Sequence, residues 1–328
     1  MSFLACRVHR VEKTIQHQIE MMDEDQLSDG DVLINVEYSG INYKDALGAT
    51  GKGMIYKKFP INAGIDCAGV VESSTDPRFK VGDKVLVNGC GLGEVQDGGL
   101  AEKVRVPSSW VIKMPDGLDS RSAMIVGTAG FTAALAIDRM EQNDQTPEMG
   151  PVVVTGASGG VGSFAISMLA NLGYEAIAVS GREEHREYLK SLGAASVKTP
   201  EQLKLGPRAL EEAKYAGVID NVGGELLSSL LAHIDLWGNV ACIGMAADHR
   251  YQSTVFPMIL RGVSMLGASS ANCPMPRREK VWKRIGSDLL PDNLESIVSE
   301  EVSLKEISPY FNQILERKHR GRIIVKCN

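Results

Sequence analysis

The spacing of apolar residues divides the chain into three stretches. Residues 1–123 contain short runs rich in β-branched residues, at 32–36, 69–72 and 84–87, with turn-forming pairs at Gly82-Asp83 and Gly98-Gly99. Short apolar runs separated by such turns are typical of β-strands. We therefore expect a compact β-rich domain in this stretch.

The second stretch, residues 124–272, alternates strand-like and helix-like segments. Strands are predicted at 152–155, 175–180, 217–220, 239–243 and 264–267, with a short one around Val197. Helices are predicted at 160–172, 184–192, 226–234 and near 257–261. Strands that alternate with helices in this way form parallel sheets, because each helix carries the chain back across the sheet. The pattern predicts an α/β fold with a doubly wound, parallel sheet of six strands.

The third stretch, from residue 273, returns to mixed structure. Val281, Ile285 and Leu289 form one apolar face of a predicted helix, and residues 321–326 have the pattern of a closing strand. The simplest arrangement returns this tail to the β-rich domain. We therefore predict one domain from residues 1–123 and 273–328, with a second domain, 124–272, inserted between its parts.

A glycine-rich turn follows the predicted strand at 152–155 directly and leads into a helix. Its sequence is Gly156-Ala157-Ser158-Gly159-Gly160-Val161-Gly162, with Ala157 where the common dinucleotide fingerprint has its first glycine. Glycines let a ligand approach the backbone closely, and the N–H groups at the start of a helix attract a pyrophosphate. The turn therefore predicts a bound dinucleotide; the alternative is a glycine-rich turn without a ligand.

The end of the second predicted strand indicates which dinucleotide binds. NAD-binding domains usually place Asp or Glu there, about 20 residues after the glycines, for the ribose 2′-hydroxyl. This chain has Ser180, Gly181 and Arg182 instead, and a hydroxyl, an N–H and a guanidinium suit a 2′-phosphate. The pattern favours NADPH as the cofactor. The alternative is a solvated Arg182 that pairs with Glu183 or Glu184.

Composition and charge exclude several classes of partner. The net charge of −6 and the pI of about 5.6 argue against nucleic acid, because neutralising phosphates requires a basic surface. Apolar runs fall short of the roughly 20 residues that cross a bilayer, and the first residues lack the apolar segment of a signal peptide. We expect a cytoplasmic protein without a membrane partner, whose six scattered cysteines form no disulfides.

The histidines and cysteines give no sign of a metal site. None of the six histidines lies near a cysteine with the spacing of zinc ligands. We therefore predict chemistry that needs no metal.

Several further strings resemble the medium-chain dehydrogenase/reductase superfamily. The string at 40–45 is Gly-Ile-Asn-Tyr-Lys-Asp and that at 64–69 is Gly-Ile-Asp-Cys-Ala-Gly; Val-Gly-Asp-Lys-Val follows at 81–85, and Gly-Thr-Ala-Gly-Phe-Thr-Ala at 127–133. Zinc alcohol dehydrogenases of this superfamily have Cys near Asn42 and His at Ile65. Because both ligands are absent, the chain resembles the zinc-free quinone-oxidoreductase-like branch, and within it the YhdH/YhfP group, which includes NADPH-dependent acryloyl-CoA reductases.

The resemblance implies a GroES-like β domain, a Rossmann domain, a cleft between them and a homodimer. It implies that Tyr43, with Asn42 beside it, faces the nicotinamide and the substrate. The residues implied to touch the pyrophosphate are Ser158, Gly159, Gly160 and Val161, and those implied to hold the 2′-phosphate are Ser180, Gly181 and Arg182. Further positions implied to line the cofactor or the cleft are Thr128, Met245, Ile259, Ser270 and Arg322.

The activity implied is metal-free hydride transfer from NADPH to a C=C bond conjugated to a carbonyl, as in acryloyl-CoA or a related enoyl thioester or enone. Tyr43 would stabilise the carbonyl oxygen or donate the proton, unless it is only a packed aromatic. Quinone reduction is the alternative, and a non-catalytic NADPH-binding redox sensor is a second one. The chain departs from the acryloyl-CoA reductases near Cys90, at Gln96-Asp97, at Ala247-Asp248 and at Ser269, and some of these positions are expected around the substrate.

One charged segment is open to two interpretations. Arg277, Arg278, Lys280, Lys283 and Arg284 share one predicted helix. They could contact the phosphates of coenzyme A, or they could form an ordinary solvated face.

Overall fold

The computed structural model describes residues 2–328 as sixteen strands and eight α-helices, with short 3₁₀ turns between them. The strands are β1 (Ser2–Val11), β2 (Thr14–Asp23), β3 (Val32–Ile41), β4 (Ile61–Asn62), β5 (Asp66–Ser74), β6 (Lys84–Asn88), β7 (Lys103–Val106), β8 (Ile112–Lys113), β9 (Val152–Thr155), β10 (Ala176–Val179), β11 (Ser196–Lys198), β12 (Tyr215–Asp220), β13 (Ile234–Cys242), β14 (Ser264–Gly267), β15 (Val298–Ser303) and β16 (Arg322–Lys326). The helices are α1 (Tyr43–Ala49), α2 (Ser120–Glu141), α3 (Gly160–Asn171), α4 (Arg186–Ser191), α5 (Gly224–Leu231), α6 (Phe256–Arg261), α7 (Met275–Ile285) and α8 (Ser308–Leu315).

The chain forms two compact units. The β-rich unit comprises Met1–Thr128, Ser270–Gly286 and Val298–Asn328; the α/β unit comprises Ala129–Ser269 and Ser287–Ile297. Residues 287–297, which the sequence analysis assigned to the first domain, lie in the second unit. There Asn293 accepts a hydrogen bond from the hydroxyl of Ser167 at 3.2 Å and donates one to the carbonyl of Ser191 at 2.7 Å.

The β-rich unit contains two sheets. Strands β2, β1 and β4 form one, and the other has the order β15-β16-β3-β5-β6-β8, with β7 paired to β3. Apolar side chains from these strands and from α1 and α8 share one core, in which Val32, Ile34, Ile61 and Phe311 are fully buried. Helix α1 therefore packs on this core.

The α/β unit is built on the predicted sheet. All its strands are parallel, in the order β11-β10-β9-β12-β13-β14. The six-stranded, doubly wound arrangement predicted from the sequence is confirmed. The order reverses between β9 and β12, and in folds of this kind ligands bind beyond the carboxyl ends of the strands at that reversal.

Helix α2 is the one helix in residues 2–328 that is long and apolar enough to cross a membrane. However, 83% of its apolar window is buried inside the protein. A buried apolar helix of this kind is typical of a protein core, where side chains on every face need apolar neighbours.

Candidate active site and cofactor-binding turn

The glycine-rich turn lies where the sequence predicted it, between β9 and the start of α3. The helix begins after Gly159, whose backbone is extended and which has no side chain to cap the helix. The first N–H groups of α3 therefore lack both a partner within the helix and a side-chain cap, which leaves them available to an anionic ligand. A Cβ on Gly162 would lie 2.5 Å from the carbonyl oxygen of Gly156, so only glycine allows α3 to start this close to the turn.

A buried carboxylate fixes the neighbouring strand ends at the sheet reversal. Asp220, the last residue of β12, accepts hydrogen bonds from the hydroxyl of Thr155 at 2.6 Å and from the N–H of Gly223 at 2.8 Å. Asn221 in turn donates its side-chain N–H to the carbonyl of Thr155 at 2.9 Å. Burial raises the pKa of Asp220. These contacts link β9 to β12 and hold the turn that follows β9.

The predicted 2′-phosphate group lies at the end of the adjacent strand, β10. Ser180 is buried and its Oγ accepts the N–H of Arg182 at 3.2 Å. A Cβ on Gly181 would meet open space. Within residues 2–328 the Arg182 guanidinium forms no ion pair, since Glu183 instead pairs with Arg186. The pairing of Arg182 with Glu183 or Glu184 is therefore wrong, and a solvated Arg182 stays the alternative to a phosphate ligand.

A buried polar network in the β-rich unit consists of Asn42, Asp66 and Arg322. Oδ2 of Asp66 accepts hydrogen bonds from the side chain of Asn42 at 3.0 Å and from the N–H of Thr128 at 2.7 Å, and lies 3.7 Å from the Arg322 guanidinium. Arg322 also donates to Asn42 Oδ1 at 2.8 Å and to the carbonyl of Ile125 at 3.1 Å. The network joins the start of α1, the start of β5, the middle of α2 and β16.

A kink in α2 makes room for this network. Gly127 has a φ of 48° and a ψ of −155°, which interrupts the helix and turns the N–H of Thr128 toward Asp66. A Cβ at Gly127 would lie 2.5 Å from the Arg322 guanidinium and 2.8 Å from Asp66 Oδ2. The φ value and the crowding both require glycine here.

Asp45 supports the network from beneath α1. Its two carboxylate oxygens accept the N–H groups of Asn42 at 2.9 Å and of Ile65 at 3.0 Å. Burial, with a further contribution from the charge of Asp66, raises the pKa of Asp45 to about 7. Asp45 thus ties the first residues of α1 to the strand that carries Asp66.

Tyr43 is the first residue of α1 and follows the clamped Asn42. Its side chain is 49% exposed and makes no hydrogen bond within the described residues 2–328. The alternative of a packed tyrosine with a satisfied hydroxyl is therefore wrong. The backbone beneath Tyr43 is fixed while its hydroxyl remains available.

The chain is similar to known proteins over nearly its whole length. Residues 28–116 match the alcohol dehydrogenase GroES-like domain and residues 160–287 match the zinc-binding dehydrogenase family. YhfP of Bacillus subtilis, named as a quinone oxidoreductase, is 48% identical over 94% of both proteins; its structure with bound NAD superposes with a TM-score of 0.97 at 45% identity over 99% of both chains.

Two further relatives are comparably similar. Acrylyl-CoA reductase AcuI of Ruegeria pomeroyi is 42% identical over 95% of both proteins. The structure of Escherichia coli YhdH with bound NADPH has a TM-score of 0.95 at 44% identity and covers 99% of this chain and 100% of that one. The chain belongs to the medium-chain dehydrogenase/reductase superfamily, in its quinone-oxidoreductase-like branch. It is an oxidoreductase of that superfamily, and the resemblance drawn from its motifs is confirmed.

Zinc does not fit the position that zinc members of the superfamily use. Ile65 offers no ligand, and the polar side-chain atoms of Asn42 are both engaged, one by Asp66 and one by Arg322. Across residues 2–328, three or more histidine, cysteine or acidic side chains nowhere come together as a candidate metal site.

A nicotinamide dinucleotide does fit, since the α/β unit presents uncapped N–H groups and a close glycine packing at the turn. Of the other residues implied to line a cofactor in this superfamily, Met245 is 68% exposed and Ile259 is 73% exposed, while Ser270 is half-buried and Thr128 lies against Asp66. Arg322 differs from these four residues because it is buried. Its hydrogen bonds direct its guanidinium into the polar network with Asn42 and Asp66, not toward an open surface.

Two positions where the chain departs from the acryloyl-CoA reductases have a structural role here. Asp97 is buried, and its carboxylate accepts the hydroxyl of Ser28 at 2.6 Å and the N–H of Asn62 at 2.9 Å. Cys90 has a φ of 58° and donates its N–H to the carbonyl of Ala271 at 2.9 Å. Asp97 therefore holds the loop at Ser28 against the strand that carries Asn62.

Helix α7 presents fewer basic side chains to solvent than its sequence suggests. Arg278 is fully buried, and its guanidinium donates to the carbonyls of Asn88 at 2.5 Å, Ser270 at 2.8 Å and Ala271 at 3.1 Å. Burial lowers its pKa. Arg278 therefore ties the backbone at Asn88 and at residues 270–271 to α7 and is no part of a solvent-facing phosphate site.

Sequence analysis missed two residues. Asp45 follows Asn42 by three positions, the spacing at which an acidic side chain returns to the start of a helix, and this signal could have identified it. Lys198 ends β11, directly beside the predicted 2′-phosphate group: its carbonyl accepts the N–H of Ser180 at 3.0 Å, and its half-buried side chain has no ion pair within residues 2–328. Lys198 lies beside the predicted 2′-phosphate group only because β11 pairs with β10, with Lys198 opposite Val179.

Proposed function

We propose that this protein is a zinc-independent, NADPH-dependent reductase of C=C bonds conjugated to a carbonyl, with acryloyl-CoA or a related enoyl thioester or enone as substrate. The arrangement at Asn42 is the strongest support for this proposal. Where zinc members of the superfamily have a metal ligand, Asn42 is hydrogen-bonded to Asp66 and Arg322; it fixes the start of α1 and leaves the hydroxyl of Tyr43 available. The name of its relative AcuI supports the substrate class.

The cofactor would be held by chain segments described above. Ser158, Gly159, Gly160 and Val161 would bind the pyrophosphate, because backbone N–H groups and the dipole of α3 favour negative charge there. Bound NADPH supplies a hydride. The protein must then supply position, electrostatic stabilisation and a proton.

The residues of the β-rich unit would serve the second half of the reaction. When the β-carbon of the substrate gains a hydride, the electron pair of the C=C bond moves toward the carbonyl, and negative charge develops on its oxygen. The hydroxyl of Tyr43 would donate a hydrogen bond to that oxygen, and the α-carbon would then gain a proton from Tyr43 or from water. Asn42 and Asp45 would hold the backbone of Tyr43 in place.

We propose a preference for NADPH over NADH. YhfP holds NAD and YhdH holds NADPH, so the branch accommodates both dinucleotides. The support in this chain is Arg182, which has no ion pair within residues 2–328, beside Ser180 and Gly181, with Lys198 adjacent. No carboxylate stands at the end of β10 to bind a 2′-hydroxyl or to repel a phosphate.

We also propose that a second copy of this chain binds an apolar face of the α/β unit. We define this apolar face as Leu236, Trp237, Phe256, Ile259 and Leu260, which are between 49% and 73% exposed. Trp237 packs against Gly262 at the end of α6, and β14 next to it is an edge strand. Exposed apolar residues beside an edge strand commonly mark an interface.

A cytoplasmic location stays a prediction.

A substrate panel tests the proposed activity. Purified protein is mixed with NADPH and, separately, acryloyl-CoA, crotonyl-CoA, acrolein, 1,4-benzoquinone and phenanthrenequinone, and the loss of reduced-nicotinamide absorbance is followed. We expect turnover with acryloyl-CoA or the other conjugated carbonyl compounds. Turnover with the quinones alone would favour quinone reduction instead, and NADPH binding without any turnover would favour the redox sensor.

A further inference from the structure

A basic surface lies on the β-rich unit next to the loop that follows α1. Residues 46–65 contain no acidic residue, although the whole chain has a net charge of −6. Lys52, Lys57 and Lys58 in this segment are exposed, as is Arg10 nearby. We call these four residues the basic rim. Such a local excess of positive charge on an acidic protein favours an anionic ligand.

Two members of the basic rim are fixed in position. The Arg10 guanidinium lies 4.5 Å above the ring of Phe59. Lys58 donates to the hydroxyl of Ser28 at 2.7 Å. The other two, Lys52 and Lys57, form no ion pair within residues 2–328, although Glu316, which pairs with Lys318, lies within electrostatic range of Lys52. The rim therefore combines two placed cations with two that are available to a ligand.

The loop that carries the basic rim is anchored to α1. Its Tyr56 ring is buried against Gly48 of α1, and the N–H of Gly53 donates to the carbonyl of Leu47 at 3.0 Å. A further backbone bond joins the N–H of Lys57 to the carbonyl of Glu94 at 2.9 Å. At the tip, Met54 is 96% exposed, an unusual position for an apolar side chain. A flexible thioether beside cations suits an aromatic base that carries phosphates.

The basic rim lies at a suitable place along the substrate. Helix α1 begins at Tyr43 and spans seven residues, which corresponds to about 10 Å, and the loop with Lys52 follows its last residue. In a coenzyme A thioester the flexible pantetheine arm separates the reacting acyl group from the phosphorylated adenosine. An acyl group at Tyr43 can therefore have its nucleotide at the other end of α1.

We propose that the basic rim and Met54 bind the phosphorylated adenosine of a coenzyme A thioester, with the phosphates at Lys52 and Lys57 and the base against Met54. This rests on the proposed function at Tyr43 and specifies its substrate as a coenzyme A ester rather than a free enone. It also places the nucleotide on this loop rather than on α7, where Arg278 is buried.

The test compares two thioesters that differ only in the nucleotide. The ratio of kcat/KM for acryloyl-CoA to that for acryloyl-pantetheine is measured in the wild type and in a Lys52→Glu/Lys57→Glu double variant. Because exposed ion pairs contribute up to about 1 kcal/mol each, we expect the ratio to fall about tenfold. The matched control is Arg277→Glu/Lys280→Glu on α7, which should leave the ratio unchanged. An unchanged ratio in the loop variant, or an equal fall in the α7 variant, would overturn the proposal.

A second measurement separates this proposal from the proposed activity. Adenosine 3′,5′-bisphosphate is titrated into the wild type and the loop variant by calorimetry, with saturating NADPH present to fill the cofactor turn. Binding to the wild type that weakens about tenfold in the loop variant supports the nucleotide site even if neither thioester is reduced. Absence of binding to the wild type would refute the site; an acidic protein partner would then be the better match to the charge.

Discussion

At the scale of single residues, Arg182 determines the choice of cofactor in our account. Replacing Arg182 with Ala removes a guanidinium that would make charged hydrogen bonds to the 2′-phosphate. We expect the Kd for NADPH to rise at least about tenfold and that for NADH to change little. Arg186→Ala is the control, because Arg186 is already paired with Glu183. Titration by nicotinamide fluorescence measures both constants, and an equal loss of NADPH and NADH would contradict the 2′-phosphate role.

Asp45 gives a prediction about pH and stability. Its pKa rises from 3.8 to about 7 on folding, so the native state binds this proton more tightly than the unfolded chain does. Its protonation therefore stabilises the fold fully below pH 3.8, and this contribution is lost as the pH rises to about 7. Asp45→Asn cannot titrate. The free energy of unfolding of the wild type, minus that of the variant, should fall by about 1 kcal/mol or more across this range and then level off.

Urea denaturation at a series of pH values measures that difference. Its linear range gives the free energy of unfolding of each protein at each pH. Carboxyl groups that do not interact with Asp45 contribute equally to the wild type and the variant, so the subtraction isolates Asp45 together with its coupling to Asp66. A difference that is constant with pH would show that folding leaves the pKa of Asp45 unshifted, which would contradict this prediction.

The sequence identified some site residues and not others, for a physical reason. The residues of the glycine turn and of Ser180-Gly181-Arg182 are neighbours along the chain, so a single motif contains each group. The network of Asn42, Asp66 and Arg322 joins residues up to 280 positions apart. Only the pairing of β16 with β3 brings Arg322 to Asn42, and no local pattern encodes that pairing.

At the scale of elements, the close packing of α3 on the turn makes Gly162 a sensitive position. A Cβ there would lie 2.5 Å from the Gly156 carbonyl oxygen and 2.6 Å from the Ala157 Cα, so the turn must shift. We expect Gly162→Ala to weaken NADPH and NADH alike by at least about tenfold and to lower the free energy of unfolding by about 1–3 kcal/mol. Calorimetric titration and urea denaturation check the two effects.

The control for that prediction is Gly267→Ala in β14, where a Cβ would meet open space. It should bind both dinucleotides as the wild type does. If Gly162→Ala also retained wild-type affinity, the turn could not be the pyrophosphate site.

Element boundaries show where sequence patterns reach their limit. The strands at 152–155 and 264–267 were predicted to the residue, because both are short apolar runs bounded by turn residues. The helix predicted at 226–234 was wrong at its end: α5 stops at Leu231 and β13 starts at Ile234, which pairs with Tyr215. Likewise α7 ends at Ile285, so Leu289 is buried without being helical. Strand pairing and packing with residues distant in the sequence therefore set the ends of these helices.

At the scale of the whole molecule, the apolar face of the α/β unit predicts a dimer. A Leu236→Asp/Leu260→Asp variant places two charges in the proposed interface, where an unpaired charge loses its hydration, and leaves Ile259 intact because the superfamily resemblance assigns that residue to the cofactor. We expect light scattering coupled to size-exclusion chromatography to give twice the mass of 35.4 kDa for the wild type and about that mass for the variant. A monomeric wild type, or an unchanged dimeric variant, would contradict the assignment of this face.

We propose that the protein transfers a hydride from NADPH to the β-carbon of a conjugated carbonyl compound without a metal. The most direct test uses NADPH with both hydrogens at C4 of the nicotinamide ring replaced by deuterium, with acryloyl-CoA, in the presence of a metal chelator, and determines where the label lies in the product. Our account predicts propionyl-CoA with deuterium on C3 of the acyl group and none from the cofactor on C2. Deuterium on C2, or loss of the reaction when the chelator is added, would contradict it.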